Sequence, residues 1–211
     1  MIAAPETGRL IAFCGIDGAG KSSLVARLDE ENVIPGASFL HKVRKTSLNL
    51  VSKYGVRDEA GKQNWARGPF AENAAAASTI DFLHHYDTVI APRLAAGEWL
   101  VCDRYALCYE AYNLGVGTDF RLPDVLKQLR RPDWLVFVDA PVEVVLERIA
   151  ARGGPSDDEQ PAAIRCQREG YFSLLAEQND VPTLILENAG DFEQAYVTLR
   201  RHVENMISSW V

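Results

Sequence analysis

Gly15-Ile16-Asp17-Gly18-Ala19-Gly20-Lys21-Ser22 is a G-x-x-x-x-G-K-S run, the spacing of a phosphate-binding P-loop. It follows the apolar run Leu10-Ile11-Ala12-Phe13-Cys14, which reads as a buried strand. It precedes Ser23-Leu24-Val25-Ala26-Arg27-Leu28, which reads as a helix. Strand, glycine loop, helix is the setting in which this motif cradles phosphate. Glycines let successive backbone N–H groups curl around an anion without Cβ clashes, and the helix N-terminus adds partial positive charge. Lys21 can reach the β- and γ-phosphates, and the Ser22 hydroxyl is a Mg²⁺ ligand of the right chemistry. Gly15, Asp17, Gly18, Gly20, Lys21, Ser22 and Ser23 are thus the expected contacts of a bound ATP. A plain turn joining strand to helix would leave Lys-Ser at this spacing unexplained.

The rest of the composition narrows the class. A chain of 211 residues with 47% hydrophobic and 24% charged residues suits one globular α/β domain with a substantial core. Its net charge of −7 argues against general nucleic-acid binding, which favours a basic face. No apolar run is long enough to span a bilayer. Met1 to Arg9 has no basic-then-apolar pattern of a secretory signal. Cys14, Cys102, Cys108 and Cys166 have no CxxC spacing. They read as reduced thiols of a cytoplasmic protein without disulfides or zinc.

Strand and helix signals alternate along the chain. Strands are expected near 37–41, 99–103, 134–138 and 183–186, besides the one before the P-loop. Helices are expected over 47–54, 70–96, 122–131, 142–152, 162–179 and 191–210, with Pro92 a candidate kink in the longest. Residues 55–69 read as a polar loop. Such alternation implies a central parallel sheet of about five strands, covered by helices on both faces. The glycine-rich break at 153–164 reads as a lid on this single domain, residues 1–211. In such sheets function collects beyond the carboxyl ends of the strands. Here those ends carry the P-loop, Asp103-Arg104-Tyr105 and Asp139.

The ordered set of motifs resembles the thymidylate kinase family of nucleoside monophosphate kinases. Phe13 through Ser23 is similar to that family's P-loop. Asp103-Arg104-Tyr105, then Cys108 and Ala111-Tyr112-Asn113, is similar to its D-R-Y-x-x-S-x-x-A-Y-Q segment. Pro132-Asp133, Phe137-Val138-Asp139, Glu147-Arg148-Ile149 and Arg152-Gly153 resemble the stretch that leads into its lid. The resemblance implies a P-loop kinase fold and phosphorylation of a nucleoside monophosphate at the expense of ATP, with dTMP the default acceptor. It implies acceptor contacts for Asp17, Tyr105, Tyr112 and Asn113, and leaves room for a homodimer. Chemistry supports separate roles. The Arg104 fork can hold an acceptor phosphate bidentately. Asp103, acceptor-only, can hold Mg²⁺ with Ser22. Arg148 and Arg152 lie one helical turn apart, placed for the donor nucleotide and the moving phosphoryl group. The catalytic set is then Lys21, Asp103, Arg104 and Arg152.

Departures from the family pattern carry their own expectations. The segment after the second strand is basic, His41-Lys42-Val43-Arg44-Lys45-Thr46, where the family has E-P-G, so Arg44 or Lys45 becomes a phosphate contact or a solvated side chain. The position of the family's base-reading arginine falls at Phe82-Leu83, which leaves Phe82, His84, His85 or Tyr86 as candidates to stack on or hydrogen-bond the base, and predicts weak discrimination among pyrimidine monophosphates or a preference for a different acceptor. Residues 154–164 hold no arginine or lysine but three acids, Asp157, Asp158 and Glu159, and Ala19 stands where some family members have a P-loop arginine. Arg148, Arg152, Arg165 and Arg168 remain as sources of positive charge. A kinase for a different small acceptor and a nucleotide-binding switch are the alternatives. No N-K-x-D guanine-reading motif supports the switch.

Overall fold

A computed structural model describes residues 8–41, 43–116, 125–156, 159–178 and 180–210. Five parallel strands form one sheet: β1 (Arg9–Cys14), β2 (Ser38–Leu40), β3 (Trp99–Asp103), β4 (Trp134–Asp139) and β5 (Thr183–Glu187). Their spatial order is β2-β3-β1-β4-β5. Leu10 to Cys14 of β1 and Leu135 to Val138 of β4 are almost wholly buried. That is why they read as unbroken apolar runs, since a parallel sheet is covered on both faces.

The helices are α1 (Lys21–Glu30), α2 (Ser47–Tyr54), α3 (Pro69–His85), α4 (Ala91–Ala95), α5 (Ala106–Val116), α6 (Val142–Ala151), α7 (Pro161–Glu177) and α8 (Phe192–Trp210). Most bounds fall within a residue or two of the expected ones. The expected helix over 70–96 differs. It is α3, a π-helical turn over Tyr86–Ile90, and α4. Within that turn the Ala91 N–H bonds the carbonyl of Tyr86, five residues back. Pro92 supplies the cause: its ring conflicts with the carbonyl four residues earlier, and the wider turn absorbs the misfit. Residues 122–124 of the expected helix over 122–131 lie outside the described residues, as do the lid acids Asp157 and Asp158. The described remainder, from Val125, is helical for two residues and then a turn.

Two features shape the face above the strand ends. Asp81 of α3 accepts the backbone N–H groups of Ser47 (2.8 Å) and Leu48 (3.0 Å), satisfying orphan donors at the start of α2. The 55–69 loop is pinned by Trp65, which packs edge-on against Phe70 in a small cluster with Leu48, Ala74, Ala77 and Ala163. Beta strand order reverses around β1, whose helix connection leads to β2 on one side while β4 lies on the other. A ligand crevice belongs at such a switch point.

Candidate active site

One cavity of about 930 Å³ opens there, a size suited to small-molecule ligands. The P-loop forms its floor. Gly15, with φ +141°, turns the chain off β1, and a Cβ there would lie 2.2 Å from the Val138 carbonyl oxygen. Gly15 therefore serves close packing against β4 and does not line the cavity, whereas Gly18, Gly20, Ser22 and Ser23 do. Gly20, with φ +95°, lies against Asn188 at the end of β5. Asn188 donates its amide to the Ala19 carbonyl (2.7 Å) and ties the loop to the opposite edge of the sheet.

Lys21 is 4% exposed and donates to the Ile16 carbonyl at 2.7 Å. Burial, with Arg104 nearby, lowers its pKa to about 8. The Ser22 hydroxyl donates to Oδ2 of Asp103 at 2.5 Å. Oδ1 of Asp103 is buried with no hydrogen-bond partner. A serine hydroxyl beside a carboxylate with a spare oxygen is a fit for Mg²⁺, which takes hard oxygen ligands and retains waters and phosphate oxygens. Among the described residues no group of three His, Cys, Asp or Glu side chains could hold a metal by itself. A metal here would have to share its shell with nucleotide and water.

Arg104 has φ +87°, a left-handed backbone rare for a side-chain-bearing residue. Its N–H bonds the Phe13 carbonyl (2.9 Å), and its guanidinium pairs with Asp17 of the P-loop. Burial alone would raise the Asp17 carboxyl pKa. The charges of Arg104 and Lys21 outweigh that and hold it below its usual value. Asp17, an odd presence in a phosphate cradle by sequence, thus aims Arg104 into the cavity. Cys108, at the family's serine position, lines the wall beside it.

Arg148 of α6 and Arg152, just past its end, both line the cavity. Nη1 of Arg148 is buried without a hydrogen-bond partner. Arg152 pairs with Glu159, whose carboxylate also accepts the Ser156 N–H (3.0 Å) and hydroxyl (2.7 Å). Arg168 is held bidentately by Asp139 at 2.9 Å on both oxygens, and Arg165 faces Glu143 at 3.8 Å. Neither of these two lines the cavity.

Four expected acceptor contacts stand off the cavity wall. Phe82 is fully buried beneath Tyr109. Tyr105 is buried and donates its hydroxyl to the Arg130 carbonyl (2.6 Å). Asn113 is 1% exposed and spends its amide on Thr79 and on the Tyr109 carbonyl. Arg44 is exposed and outside the lining, while its neighbour Lys45 is in it. Tyr112, expected from the sequence, does line the wall. Trp65, Asp81, Tyr109, Asn188 and Phe192 are lining residues that sequence reasoning passed over. Asn188 had a signal, being the first residue after a strand. Trp65, in a polar loop, had none.

Residues 13–191 match the family model described as thymidylate kinase. The chain belongs to the thymidylate kinase family. It is 32% identical over 183 residues to a thymidylate kinase of Akkermansia muciniphila, covering 80% of each chain. It is 30% identical over 178 residues to one from Alkalilimnicola ehrlichii, covering 81% of this chain and 77% of that one. A Xanthomonas oryzae pv. oryzae thymidylate kinase is 36% identical over 151 residues, 69% of this chain and 62% of that one. The parallel five-stranded sheet and its P-loop are the fold of a nucleoside monophosphate kinase of this family. No helix among the described residues is long and apolar enough to cross a membrane.

Proposed function

We propose that this protein transfers the γ-phosphoryl group of ATP to dTMP, giving ADP and dTDP. One observation carries the reading. The P-loop and Arg104, a donor cradle and an acceptor clamp, line a single cavity in a chain of the thymidylate kinase family. An oxygen of the acceptor's phosphate attacks the γ-phosphorus, a new P–O bond forms, and the bond to the ADP oxygen breaks. Such transfer asks for alignment and charge neutralisation rather than a covalent intermediate.

Roles follow from position. The P-loop N–H groups and Lys21 hold the donor phosphates. Arg104, aimed by Asp17, holds the acceptor phosphate. Arg152 faces the moving group, and Arg148 and Asn188 face the donor nucleoside. Ser22 and Asp103 would hold Mg²⁺, which when bound neutralises charge on the phosphate oxygens. Residues 153–164 act as a lid that keeps water from the γ-phosphate. We place the protein in the cytoplasm, a reading supported by its four free thiols, which suit a reducing compartment.

The test is a steady-state assay with ATP, Mg²⁺ and a panel of nucleoside monophosphates, with products separated by chromatography. ADP and dTDP formed in equal amounts are expected. ATP consumed without any phosphorylated acceptor would overturn the reading.

A further inference from the structure

Tyr109, on α5 one residue beyond Cys108, lines the cavity. One face of its ring is stacked on Phe82, with centroids 4.4 Å apart and planes 18° from parallel. Phe82 is 0% exposed and is braced edge-on by Tyr105 at 5.4 Å. The two stacked rings form a slab whose inner ring is core and whose outer ring is cavity wall. The slab is fixed in place. Asn113 donates to the Tyr109 carbonyl (2.7 Å) and to the Thr79 hydroxyl (2.9 Å), locking α5 to α3 at this level.

The polar side chains that α3 presents to the same cavity are Ser78 and Asp81. Both are committed. Ser78 donates its hydroxyl proton to the Ala75 carbonyl (2.9 Å), and the two Asp81 oxygens each accept a backbone N–H of α2. Neither has a proton left to give to a base carbonyl. On this wall a base meets the aromatic face of Tyr109 and, from α3, no free hydrogen-bond donor. Arg104, five residues before Tyr109 and lining the same cavity, supplies the phosphate end.

We propose that Tyr109 is the platform on which the acceptor's base stacks, with Phe82 as its backing. The proposal rests on the nucleoside monophosphate kinase reading above. Stacking on an aromatic ring is tolerant of base identity because every base has a π-face. It accounts for what Phe82 does from beneath the surface.

The experiment truncates residue and ligand together. Dissociation constants for dTMP and for 2-deoxyribose 5-phosphate, which lacks the base, are measured by calorimetry on wild type, Tyr109→Phe and Tyr109→Leu. Wild type is expected to prefer dTMP by roughly tenfold or more, as base–aromatic stacking allows. Tyr109→Phe keeps that ratio, and Tyr109→Leu reduces it about fivefold or more, with ATP binding retained. A merely structural role would weaken both ligands alike and leave the ratio unmoved, which overturns the proposal. So does a wild-type ratio near one, a result that needs no folded variant. Absence of dTDP from the wild-type assay would sink the reaction instead, while the binding ratio still reports on Tyr109.

Discussion

In the proposed reaction Lys21 and Arg104 carry the charges on which phosphoryl transfer depends, and each makes a separable prediction. Lys21→Ala should remove most turnover and leave the fold intact, since Lys21 contributes its charge to the ligand rather than to an ion pair. Turnover within a few-fold of wild type would defeat the assignment. Burial holds the Lys21 pKa down at about 8 in the free protein. A phosphate beside it favours the charged form and raises the pKa. Hence ATP binding should take up a proton at pH 8.5 and take up little at pH 6.5. Calorimetry in buffers of different ionisation enthalpy checks this, and equal uptake at both pH values would contradict it. Arg104→Lys should raise the acceptor KM and lower kcat with ATP affinity little changed. A charge-assisted bidentate contact is worth on the order of 2–4 kcal/mol. An unfolded variant would instead mark Arg104, with its left-handed backbone, as a structural residue.

Helices α5 and α7 cross at a glycine on each. A Cβ on Gly170 of α7 would lie 2.1 Å from the Ala111 carbonyl oxygen of α5, and one on Gly115 of α5 would lie 2.2 Å from that of Cys166. The two helices touch backbone to backbone. Helix propensity alone favours Gly170→Ala by about 1 kcal/mol, but overpacking typically costs about 1–3 kcal/mol. The clash is with backbone, so it should win, and urea unfolding should show a net loss of stability. Tyr171, next along α7, donates to the Gly15 carbonyl at 3.1 Å. The same variant should therefore raise the KM for ATP, and a stabilised protein with unchanged KM would refute both steps. Local pattern revealed most elements, because the central strands are short apolar runs and Ser47–Tyr54 and Trp99–Asp103 are self-contained segments, but the helix expected over 122–131 is helical only at Val125 and Leu126 among its described residues. It did not reveal the π-turn, since Pro92 announces a misfit without saying how the chain absorbs it. Nor did it show which of two nearby aromatics reaches the cavity. Phe82 and Tyr109 are 27 positions apart in the sequence and stacked in space, and only packing decides which ring is outermost. Arg168 was indistinguishable from Arg152 by charge alone, until Asp139 claimed it.

At the scale of the whole molecule, donor and acceptor groups converge because the strand order turns around β1. The P-loop follows β1, Asp103 ends β3 with Arg104 just beyond it, Asn188 follows β5, and all reach one cavity. Two substrates at the different ends of this cavity that the proposed function gives them should bind together rather than compete. A ligand that binds only the folded state at a hundred times its dissociation constant stabilises by about 2.7 kcal/mol. For a domain near this size each kcal/mol shifts Tm by roughly 2–4 °C. A non-hydrolysable ATP analogue with Mg²⁺ should thus raise Tm by roughly 5–10 °C at that loading. Adding dTMP at its own hundredfold loading should raise it by a comparable further amount. Lys21→Ala should lose the first increment and keep the second, because the proposed function puts Lys21 at the donor phosphates and Arg104 at the acceptor. If the two ligands together gave only the larger of the two shifts, they would be competing for one position. The division of this cavity into a donor end and an acceptor end would then be wrong, whatever the family resemblance.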